Sequence, residues 1–513
     1  MITAIKILVA LVCIAALAIF VARLIFTLPS MEGRTDSASL APPDTGPLNN
    51  AIMPQWQDHP GKTGVLPLGN GADAFAARML LADAAVSSID AQYYIWHGDL
   101  TGSLLLNALK RAADRGVRVR LLLDDHGTSG LDRQLASLNA HENAEVRFYN
   151  PFVLRGFKLL SYGFDFFRLN RRMHNKSFTV DGAATILGGR NIGDEYFDTG
   201  PTAIYIDLDV LAVGKIVPEV AADFDRYWAA PAVHPAGPIL GDVPAGDPIG
   251  QSVAEFEDNP QMAEYRAILE GSSLIETLRT GSAEIEWTDV ILVSDDPAKG
   301  MGSVPRGDLL ASRLARAVGH IEARFDGISP YFVPGRTGTR AFAALENGGV
   351  QTRMLTNSLE ATDVLPVHAG YSKHRRNLLK GGTRLFELKR KAATTTPKDK
   401  IGPFGSSGAS LHAKTFAVDG MRIFIGSFNF DPRSTTLNTE MGLLIDSTAM
   451  ANQMHDAFDR QLDGMAWEVV LDDGDLRWHG SVSGTVTRRE PGSNILKSAA
   501  ITVIGWLPVE WLL

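Results

Sequence analysis

The chain has 513 residues, 45% of them apolar and 21% charged, which is enough to build two or more folded cores. Its net charge of −9 gives no overall support for nucleic-acid binding, because such proteins usually carry a basic face. The single cysteine, Cys13, lies in the first apolar segment. An intramolecular disulfide and any cysteine-based metal site in the body are therefore excluded.

The N-terminal segment is typical of a membrane anchor. Residues 7–22 are apolar throughout, and the apolar run resumes after Arg23, so the segment is about long enough to span a bilayer. The alternative is a cleaved signal peptide with Lys6 as its positive region, but no small-x-small site directly follows the apolar core. We predict a transmembrane anchor over residues 1–29 and a Ser-, Pro- and Gly-rich linker over residues 30–59.

Two later segments share one pattern. Residues 87–96 end in a β-branched and aromatic run, and residues 104–125 are typical of an amphipathic helix, a glycine and an apolar strand. Residues 326–334 and 342–357 repeat this order. Strand, helix, glycine and strand make a βαβ unit, so the sequence predicts an α/β fold in two halves with right-handed crossovers.

The duplication predicts where the domains begin and end. The high Pro and Gly content of residues 231–250 favours a joint there. The apolar C-terminal tail contains Trp506 and Trp511, which suit a bilayer interface. The tail either lies on the membrane or enters the core as a final strand. We predict a first half, a linker, a second half and a tail over residues 60–235, 236–264, 265–490 and 491–513, respectively.

One nine-residue motif occurs in each half: residues 173–181 read MHNKSFTVD and residues 411–419 read LHAKTFAVD. Residues two apart on a strand face the same side, so the His and Lys of each copy should lie side by side over one site. Each Asp precedes a glycine at a hairpin turn, where a structural role is favoured over direct catalysis. The candidate catalytic residues are His174, Lys176, Asp181, His412, Lys414 and Asp419.

A second motif follows each copy at the same distance. Gly188-Gly189-Arg190-Asn191 and Gly426-Ser427-Phe428-Asn429 place Asn191 and Asn429 seventeen residues after their histidines. Small residues let the backbone approach a ligand, and Asn or Ser can donate hydrogen bonds to an oxyanion. Further along each half, an acidic residue in strand-like surroundings can accept a hydrogen bond from an imidazole N–H. These residues are Asp207 and Glu440.

Two histidines, two lysines and two asparagines in one site suit phosphoryl transfer. Lysines and asparagines would hold the non-bridging oxygens while one neutral histidine attacks phosphorus. A second, protonated histidine would protonate the leaving oxygen, and the roles would reverse when water or an alcohol attacks the phosphohistidine. The lysines supply the charge that a metal would otherwise bring, so we expect neither a metal nor a cofactor.

The doubled H-x-K-x4-D, followed each time by G-[GS]-x-N, resembles the phospholipase D superfamily over residues 60–490. The resemblance implies two α/β sandwich halves related by a pseudo-twofold axis, with one active site between them. It implies His174 as nucleophile and His412 as acid, with phosphate bound by Lys176, Lys414, Asn191, Asn429 and Ser427.

The same resemblance implies that Asp207 and Glu440 support the histidines. Asp207 is five residues further from the histidine of its own half than Glu440 is, so Asp194 or Glu195 compete for the role in the first half.

Finer stretches, among them RLNRRMHNKSFTVD, LTNSLEATDV and LPVEWLL, are similar to bacterial cardiolipin synthases of the phospholipase D type, most of all the C subclass. This similarity implies transfer of a phosphatidyl group onto phosphatidylglycerol, with phosphatidylethanolamine as a candidate donor, at the bacterial inner (cell) membrane. No nucleic-acid partner is expected. The alternatives are a hydrolytic phospholipase D, a phosphodiesterase or nuclease of the superfamily, and a membrane scaffold with an inactive site.

Arginines and phenylalanines just before the first motif allow two interpretations. Arg168, Arg171 and Arg172 either contact a lipid phosphate or form a solvated edge. The aromatic side chains guide acyl chains or, as we favour, belong to the core; they are Phe164, Phe166 and Phe167.

Overall fold

Two large mixed sheets organise the chain, one in each half. The computed structural model describes residues 1–198, 205–271, 283–390, 410–462, 464–480 and 484–513. The first strands are β1 (Thr63–Leu68), β2 (Ser88–Ile95), β3 (Arg118–Gly127), β4 (Ala144–Tyr149), β5 (Ser177–Val180), β6 (Ala184–Gly188), β7 (Tyr205–Ile206), β8 (Asp209–Gly214), β9 (Val233–Pro235) and β10 (Glu286–Thr288). The later strands are β11 (Val290–Ser294), β12 (Arg324–Ile328), β13 (Gln351–Asn357), β14 (Arg384–Leu388), β15 (Ser410–Leu411), β16 (Lys414–Val418), β17 (Arg422–Gly426), β18 (Met441–Ile445), β19 (Ala466–Asp472), β20 (Asp475–Gly480) and β21 (Thr485–Thr487).

Helices cover the sheets and form both ends of the chain. The helices before residue 272 are α1 (Ile2–Ile25), α2 (Pro47–Asp58), α3 (Gly71–Ala84), α4 (Leu100–Asp114), α5 (Asp132–Asn139), α6 (Lys158–Leu169), α7 (Ile216–Trp228), α8 (Gly237–Leu240), α9 (Pro248–Ala254) and α10 (Pro260–Gly271). The later helices are α11 (Leu310–Val318), α12 (Gly335–Asn347), α13 (Leu365–Lys380), α14 (Pro432–Thr436), α15 (Thr448–Asp456) and α16 (Ile495–Trp506).

The two sheets have the same connectivity. The first has the strand order β10-β1-β8-β6-β5-β2-β3-β4-β9, and the second has β11-β18-β17-β16-β12-β13-β14-β19-β20-β21. In each, three parallel strands adjoin an antiparallel hairpin, which is followed by a further antiparallel strand. This match confirms the predicted α/β duplication into two halves related by pseudo-twofold symmetry.

Both predicted βαβ units form, and they use the same helix ending. After α4, Gly116 has φ +90° and Val117 N–H donates to the carbonyl of Ala112. After α12, Gly349 has φ +91° and Val350 N–H donates to the carbonyl of Leu345. A left-handed residue after a helix suits glycine, which has no Cβ to clash, and it turns the chain directly into β3 or β13.

A continuous apolar core joins the two halves. Side chains of β6, β8 and α7 from the first half pack with side chains of β16, β17 and β18 from the second, including Leu187, Val210, Val217, Ile425 and Leu443. The short parallel pair β7–β15 adds main-chain hydrogen bonds across the same boundary. The halves therefore share one apolar core, with the motif segments at the junction.

The N-terminal helix is built as the sequence predicts. α1 has 24 residues, contains no buried residue, and is long and apolar enough to cross a membrane. Its last turn contacts α6 through Arg23 Nε, which donates to the carbonyl of Phe164, and through Phe26, which stacks on the Phe164 ring. The choice between an anchor and a signal peptide stays a prediction.

Three predicted segments differ from the structure. The linker over residues 30–59 contains α2, which begins with a proline at a position where its missing N–H is not needed. The predicted linker over residues 236–264 contains α8 and α9, which pack on α5 and α4, and α10 starts within it. The predicted second half starts at residue 265, yet β10 pairs with β1 in the first sheet, so the second half begins after Thr288.

The C-terminal tail is a helix and not the final strand that the sequence left open. Asn494 caps α16 by accepting a hydrogen bond from Lys497 N–H, and α16 packs on α13. Beyond it, the carbonyls of Leu512 and Leu513 accept hydrogen bonds from Arg433, which ties the end of the chain to the segment after Asn429.

Candidate active site

The two motif histidines lie buried at the junction of the halves. His174 precedes β5 and is 8% exposed, and His412 precedes β16 and is 7% exposed. Both strands sit at equivalent positions in their sheets, which the pseudo-twofold relation turns toward each other. The fold therefore brings the two copies of the motif to one place, as the sequence predicts.

Each histidine is held by the opposite half of the chain. Nδ1 of His174 lies 2.8 Å from Oε2 of Glu440, and the backbone N–H of His174 donates to the carbonyl of Thr439 at 2.9 Å. Nδ1 of His412 lies 2.5 Å from Oδ2 of Asp207, and its backbone N–H donates to the carbonyl of Ile206 at 2.8 Å. Because Nδ1 faces a carboxylate in both rings, Nε2 is the nitrogen left for chemistry.

This crossed arrangement corrects the sequence-based pairing of each histidine with a carboxylate of its own half. It also argues against Asp194 and Glu195, the two alternatives to Asp207 that the sequence left open. Glu195 Oε1 lies 3.1 Å from His97 Nδ1, and Asp194 accepts a hydrogen bond from Thr101 N–H. These hydrogen bonds tie both carboxylates to residues other than the motif histidines.

The Gly-x-x-Asn segments position the carboxylates of Glu440 and Asp207 in two different ways. The Ser427 hydroxyl donates to Glu440 Oε2 at 2.5 Å, so it is committed to the carboxylate and not to phosphate as predicted. Ser434, which the sequence analysis missed, donates to Oε1 at 2.7 Å. In the first half, a Cβ on Gly189 would lie 2.0 Å from Asp207 Oδ1. Only glycine leaves room for Asp207 at that position.

The two lysines are buried beside their histidines. Lys176 Nζ donates to the carbonyl of His174 at 2.6 Å, and Lys414 Nζ donates to the carbonyl of His412. Burial lowers the pKa of Lys176 to about 7, and burial also lowers the pKa of Lys414. An ammonium that has lost its water shell in this way gains from binding an anion.

The two asparagines are buried but differ in their bonds. Asn191 is locked, because its Oδ1 accepts from Ile95 N–H and its Nδ2 donates to the Tyr196 hydroxyl. Asn429 Oδ1 is buried without a hydrogen-bond partner in the described residues. Phosphate binding by either amide stays a prediction, and the geometry is more open at Asn429.

The two motif aspartates lie away from the histidines, at the predicted turns. Asp181 and Asp419 both have φ +52°, and each is followed by a glycine with positive φ. The Asp181 carboxylate accepts hydrogen bonds from the N–H groups of residues 86–88, and the Asp419 carboxylate accepts from residues 322–324. Both side chains therefore fasten the hairpin to the start of the central strand, and the structure does not place them among the catalytic groups.

The two histidine–carboxylate pairs differ in their electrostatics. Burial raises the pKa of Glu440 to about 7, despite the nearby charge of Lys176. At Asp207, burial opposes ionisation, but the charge and hydrogen bond of His412 outweigh it and hold the pKa below its usual value. Burial and the two lysines keep the pKa of His174 well below its usual value. Burial also lowers the pKa of His412, while Asp207 acts in the opposite direction.

Aromatic rings that the sequence analysis did not select line both histidines. Tyr94 stands edge-on to the His174 ring at 5.0 Å between centroids, and Lys176 Nζ lies 5.6 Å from the Tyr94 ring centre. Tyr196 and Tyr205 both lie 5.1 Å from the His412 ring. Tyr94 is part of the aromatic run that identified β2, but nothing in its spacing pointed to the site.

An acidic group on β3 fixes the chain ahead of His174. Asp124 accepts hydrogen bonds from Arg172 Nη1 at 2.9 Å and from Met173 N–H at 2.8 Å. Arg172 also donates to the carbonyl of Asn150 and is buried. Arg172 is therefore a structural cation, neither a solvated edge nor a free lipid contact.

Within the described ranges, one group of side chains has the donor set of a cation site. The ligand atoms of His97, Asp99 and Glu195 lie within 4.8 Å of one another near the start of α4. The imidazole of His97 and the carboxylate of Glu195 already pair at 3.1 Å. The hydrogen bonds described above that position His174 and His412 involve none of these three residues.

The comparisons with known proteins agree with this geometry. Residues 80–228 and 314–462 match the family described as cardiolipin synthase, phospholipase D-like domain. Cardiolipin synthase C of Escherichia coli (strain K12) is 46% identical over 471 residues, which cover 91% of this chain and 99% of that protein. A cardiolipin synthase of Listeria monocytogenes is 24% identical over 76% of this chain and 67% of its own length.

A solved structure supports the fold across most of the chain. Phosphatidylserine synthase of Haemophilus influenzae superposes with a TM-score of 0.55 and 14% identity, and the match covers 91% of this chain and 100% of that chain. At this identity the likeness concerns the fold alone. Taken with the family match over both halves and the extended identity to a curated relative, it shows that the chain belongs to the cardiolipin synthase family of phospholipase D-like proteins.

Proposed function

We propose that the protein is a cardiolipin synthase, a phosphatidyltransferase that moves a phosphatidyl group onto phosphatidylglycerol through a phosphohistidine. One observation carries the proposal: two buried histidines, each oriented by a carboxylate of the other half, share a site with two buried lysines. The 46% identity to a cardiolipin synthase over nearly the whole chain supports the substrate class.

In the first step, Nε2 of His174 attacks phosphorus of the donor phospholipid. The P–N bond forms as the bond to the leaving headgroup oxygen breaks, and His412 gives its proton to that oxygen. The unequal carboxylates support these roles. Burial lowers the pKa of both rings, but ionised Asp207 opposes this at His412 and makes it the easier of the two rings to protonate. The pKa of His174 lies well below its usual value, which keeps its ring neutral and nucleophilic.

In the second step, a hydroxyl of phosphatidylglycerol attacks the phosphohistidine. His412, now neutral, takes the hydroxyl proton while the P–N bond breaks and cardiolipin forms. Lys176 and Lys414 balance the charge on the non-bridging oxygens in both steps. Phosphatidylglycerol and phosphatidylethanolamine are the candidate donors, and the bacterial inner membrane is the proposed location.

Hydrolysis by water at the same intermediate is the second candidate function. The depth of the site favours transfer, because His174 and His412 are buried and ringed by Tyr94, Tyr196 and Tyr205. A site that limits water access gives a bound alcohol the advantage.

The test is a product assay with lipid vesicles. Vesicles of labelled phosphatidylglycerol, with and without phosphatidylethanolamine, are incubated with the wild-type protein, with His174→Ala and with the exposed-site control His320→Ala. We expect cardiolipin from the wild type and the control, and none from His174→Ala. Phosphatidic acid without cardiolipin would establish a hydrolase, and turnover by His174→Ala would overturn the covalent route.

A second experiment tests the intermediate. Because His412 acts in both steps, the intermediate is sought in the wild-type protein: rapid acid-free denaturation after brief exposure to acyl-labelled phosphatidylethanolamine or phosphatidylglycerol should leave label on the protein. The label should be absent in His174→Ala. Equal labelling of both proteins would contradict His174 as the nucleophile.

A further inference from the structure

A cavity lies at the C-terminal end of α1, apart from the histidine site. Its volume is about 630 Å³, and its wall is formed by the last turn of α1, the segment that follows it, and one side of α6. Gly300 and Met301 close the opposite wall. Its volume lies in the range of small-ligand sites, and none of the candidate catalytic residues lines it.

The lining is strongly basic. It contains three guanidinium groups, those of Arg23, Arg168 and Arg171, and one carboxylate, that of Asp165. Asp165 pairs with Arg168 at 2.6 Å. The charges of Arg23 and Arg171 therefore have no acidic partner among the residues that line the cavity.

The α6 backbone orients these two arginines without neutralising them. Arg23 Nε donates to the carbonyl of Phe164 at 2.7 Å, and Arg171 Nη1 donates to the carbonyl of Phe167 at 2.5 Å. In addition, Arg171 Nε and Arg168 Nη1 are buried without a hydrogen-bond partner among the described residues. Oriented guanidiniums with unused donors are the arrangement that binds the oxygens of a phosphate.

The rest of the lining is apolar and aromatic. Phe26 and Phe164 stack with their ring centres 5.5 Å apart, and Phe167 lines the same cavity. Beyond the cavity, the exposed side of α6 and the turn before it continue the apolar surface of α1. Leu159 is 88% exposed and Phe157 is 75% exposed. An exposed apolar surface joined to a membrane-spanning helix belongs at the lipid interface.

We propose that this cavity binds an anionic phospholipid at the bilayer surface, as a site separate from the active site. Arg23 and Arg171 hold the phosphodiester, and an acyl chain lies against Phe26, Phe164 and Phe167. The same chemistry is offered by phosphatidylglycerol and by cardiolipin. The chain runs from α6 through Arg171 directly to His174, so the cavity adjoins the segment that carries the proposed nucleophile.

The proposal rests on α1 lying in a membrane and not on the catalytic role, so it is tested in a protein that cannot turn over. Full-length His174→Ala protein in detergent is titrated with phosphatidylglycerol, cardiolipin or phosphatidylcholine, and bound lipids are counted by native mass spectrometry. Arg23→Gln/Arg171→Gln is compared, in the same background, with Arg133→Gln/Arg460→Gln. The latter pair removes the same charge from exposed positions outside the cavity.

We expect the cavity double variant to bind one anionic lipid fewer, or to bind it about tenfold or more weakly, and the control pair to match the parent. Asp165→Asn removes the only carboxylate of the lining and should tighten binding, a gain that misfolding could not produce. Comparing phosphatidylglycerol with cardiolipin identifies the preferred source. Three results would each overturn the proposal. They are phosphatidylcholine binding as tightly as the anionic lipids, displacement of the lipid by inorganic phosphate alone, and unchanged lipid binding in the cavity variants.

Discussion

The imidazole of His174 is oriented by the carboxylate of Glu440, a residue 266 positions further along the chain and in the other half of the molecule. The same relation holds in reverse for His412 and Asp207. Each half therefore contributes one histidine and the partner of the other histidine. A change at one carboxylate should be felt at the histidine of the opposite half.

Glu440→Gln tests this crossed pairing. The amide keeps the size of the side chain but cannot hold the imidazole N–H as a carboxylate does, so we expect kcat to fall by about 10²- to 10⁴-fold. Nitrogen NMR of labelled histidines should show the His174 ring changed and the His412 ring unchanged. Asp207→Asn should give the mirror result, and a response of His412 to Glu440→Gln would contradict the pairing.

The alkaline limit of activity should report the ionisation of Lys176. Burial lowers the pKa of this ammonium to about 7, so raising the pH above that value removes a charge needed to hold phosphate, and kcat/KM falls. Arginine stays charged at any working pH, so Lys176→Arg should carry activity to higher pH even if its kcat is reduced. If kcat/KM of Lys176→Arg falls at the same alkaline pH as that of the wild type, proton loss from His412 sets the alkaline limit instead.

Gly189→Ala should disable the site through a single methyl group. The added Cβ would lie 2.0 Å from Asp207 Oδ1, so the carboxylate that orients His412 must move or the local fold must fail. We expect at least about a 10²-fold loss of kcat, measured on protein whose folding is checked by circular dichroism. Gly163→Ala is the matched control, because nothing lies within 4 Å of its added Cβ. Equal activity of Gly189→Ala and Gly163→Ala would refute the packing requirement.

Asp181→Asn should reduce stability and leave chemistry intact. The carboxylate accepts hydrogen bonds from the N–H groups of residues 86–88, and loss of its charge weakens them at a cost of about 1–3 kcal/mol in the free energy of unfolding. Asparagine tolerates the positive φ of the turn, so the substitution does not add strain. The folded fraction should keep its kcat. A large loss of kcat in fully folded Asp181→Asn protein would instead indicate that Asp181 has a catalytic role.

Asp419 should make the fold sensitive to acid. Burial alone would raise its pKa, but three backbone N–H groups bind the carboxylate and hold the pKa below its usual value. A depressed pKa stabilises the fold above the unfolded-state pKa, and that contribution disappears as the pH falls through the folded-state value. The melting temperature of Asp419→Asn should therefore depend less on acid pH than that of the wild type. Identical profiles would contradict this.

Local patterns were enough to predict the elements around the motifs. The hairpins β5–β6 and β16–β17 and the helices α4 and α12 follow from residue alternation, Asp-Gly turns and glycine helix ends. The positions of His174 and His412 at one site followed from the duplication itself. For the hairpins and the helix ends, the decisive residues are neighbours in sequence.

The structure differs from the sequence-based predictions where contacts between distant segments determine the fold. β10 is only Glu286–Thr288, and its place is set by pairing with β1, more than two hundred residues earlier. The crossed carboxylates depend on how the two halves dock, which spacing within one half cannot reveal. The Asn494 cap of α16 was a readable helix signal that the sequence analysis did not use.

The crossed pairing also governs when the protein becomes reactive during its own synthesis. α1 precedes both halves in the chain, so the proposed anchor can tether the growing chain among its proposed substrates. At usual translation rates, the 266 residues between His174 and Glu440 take roughly 15 to 50 seconds to make. Throughout that time the nascent first half has its nucleophile but not the group that orients it. We therefore expect a chain that ends before Glu440 to be inactive, and activity to begin only after both halves have been made.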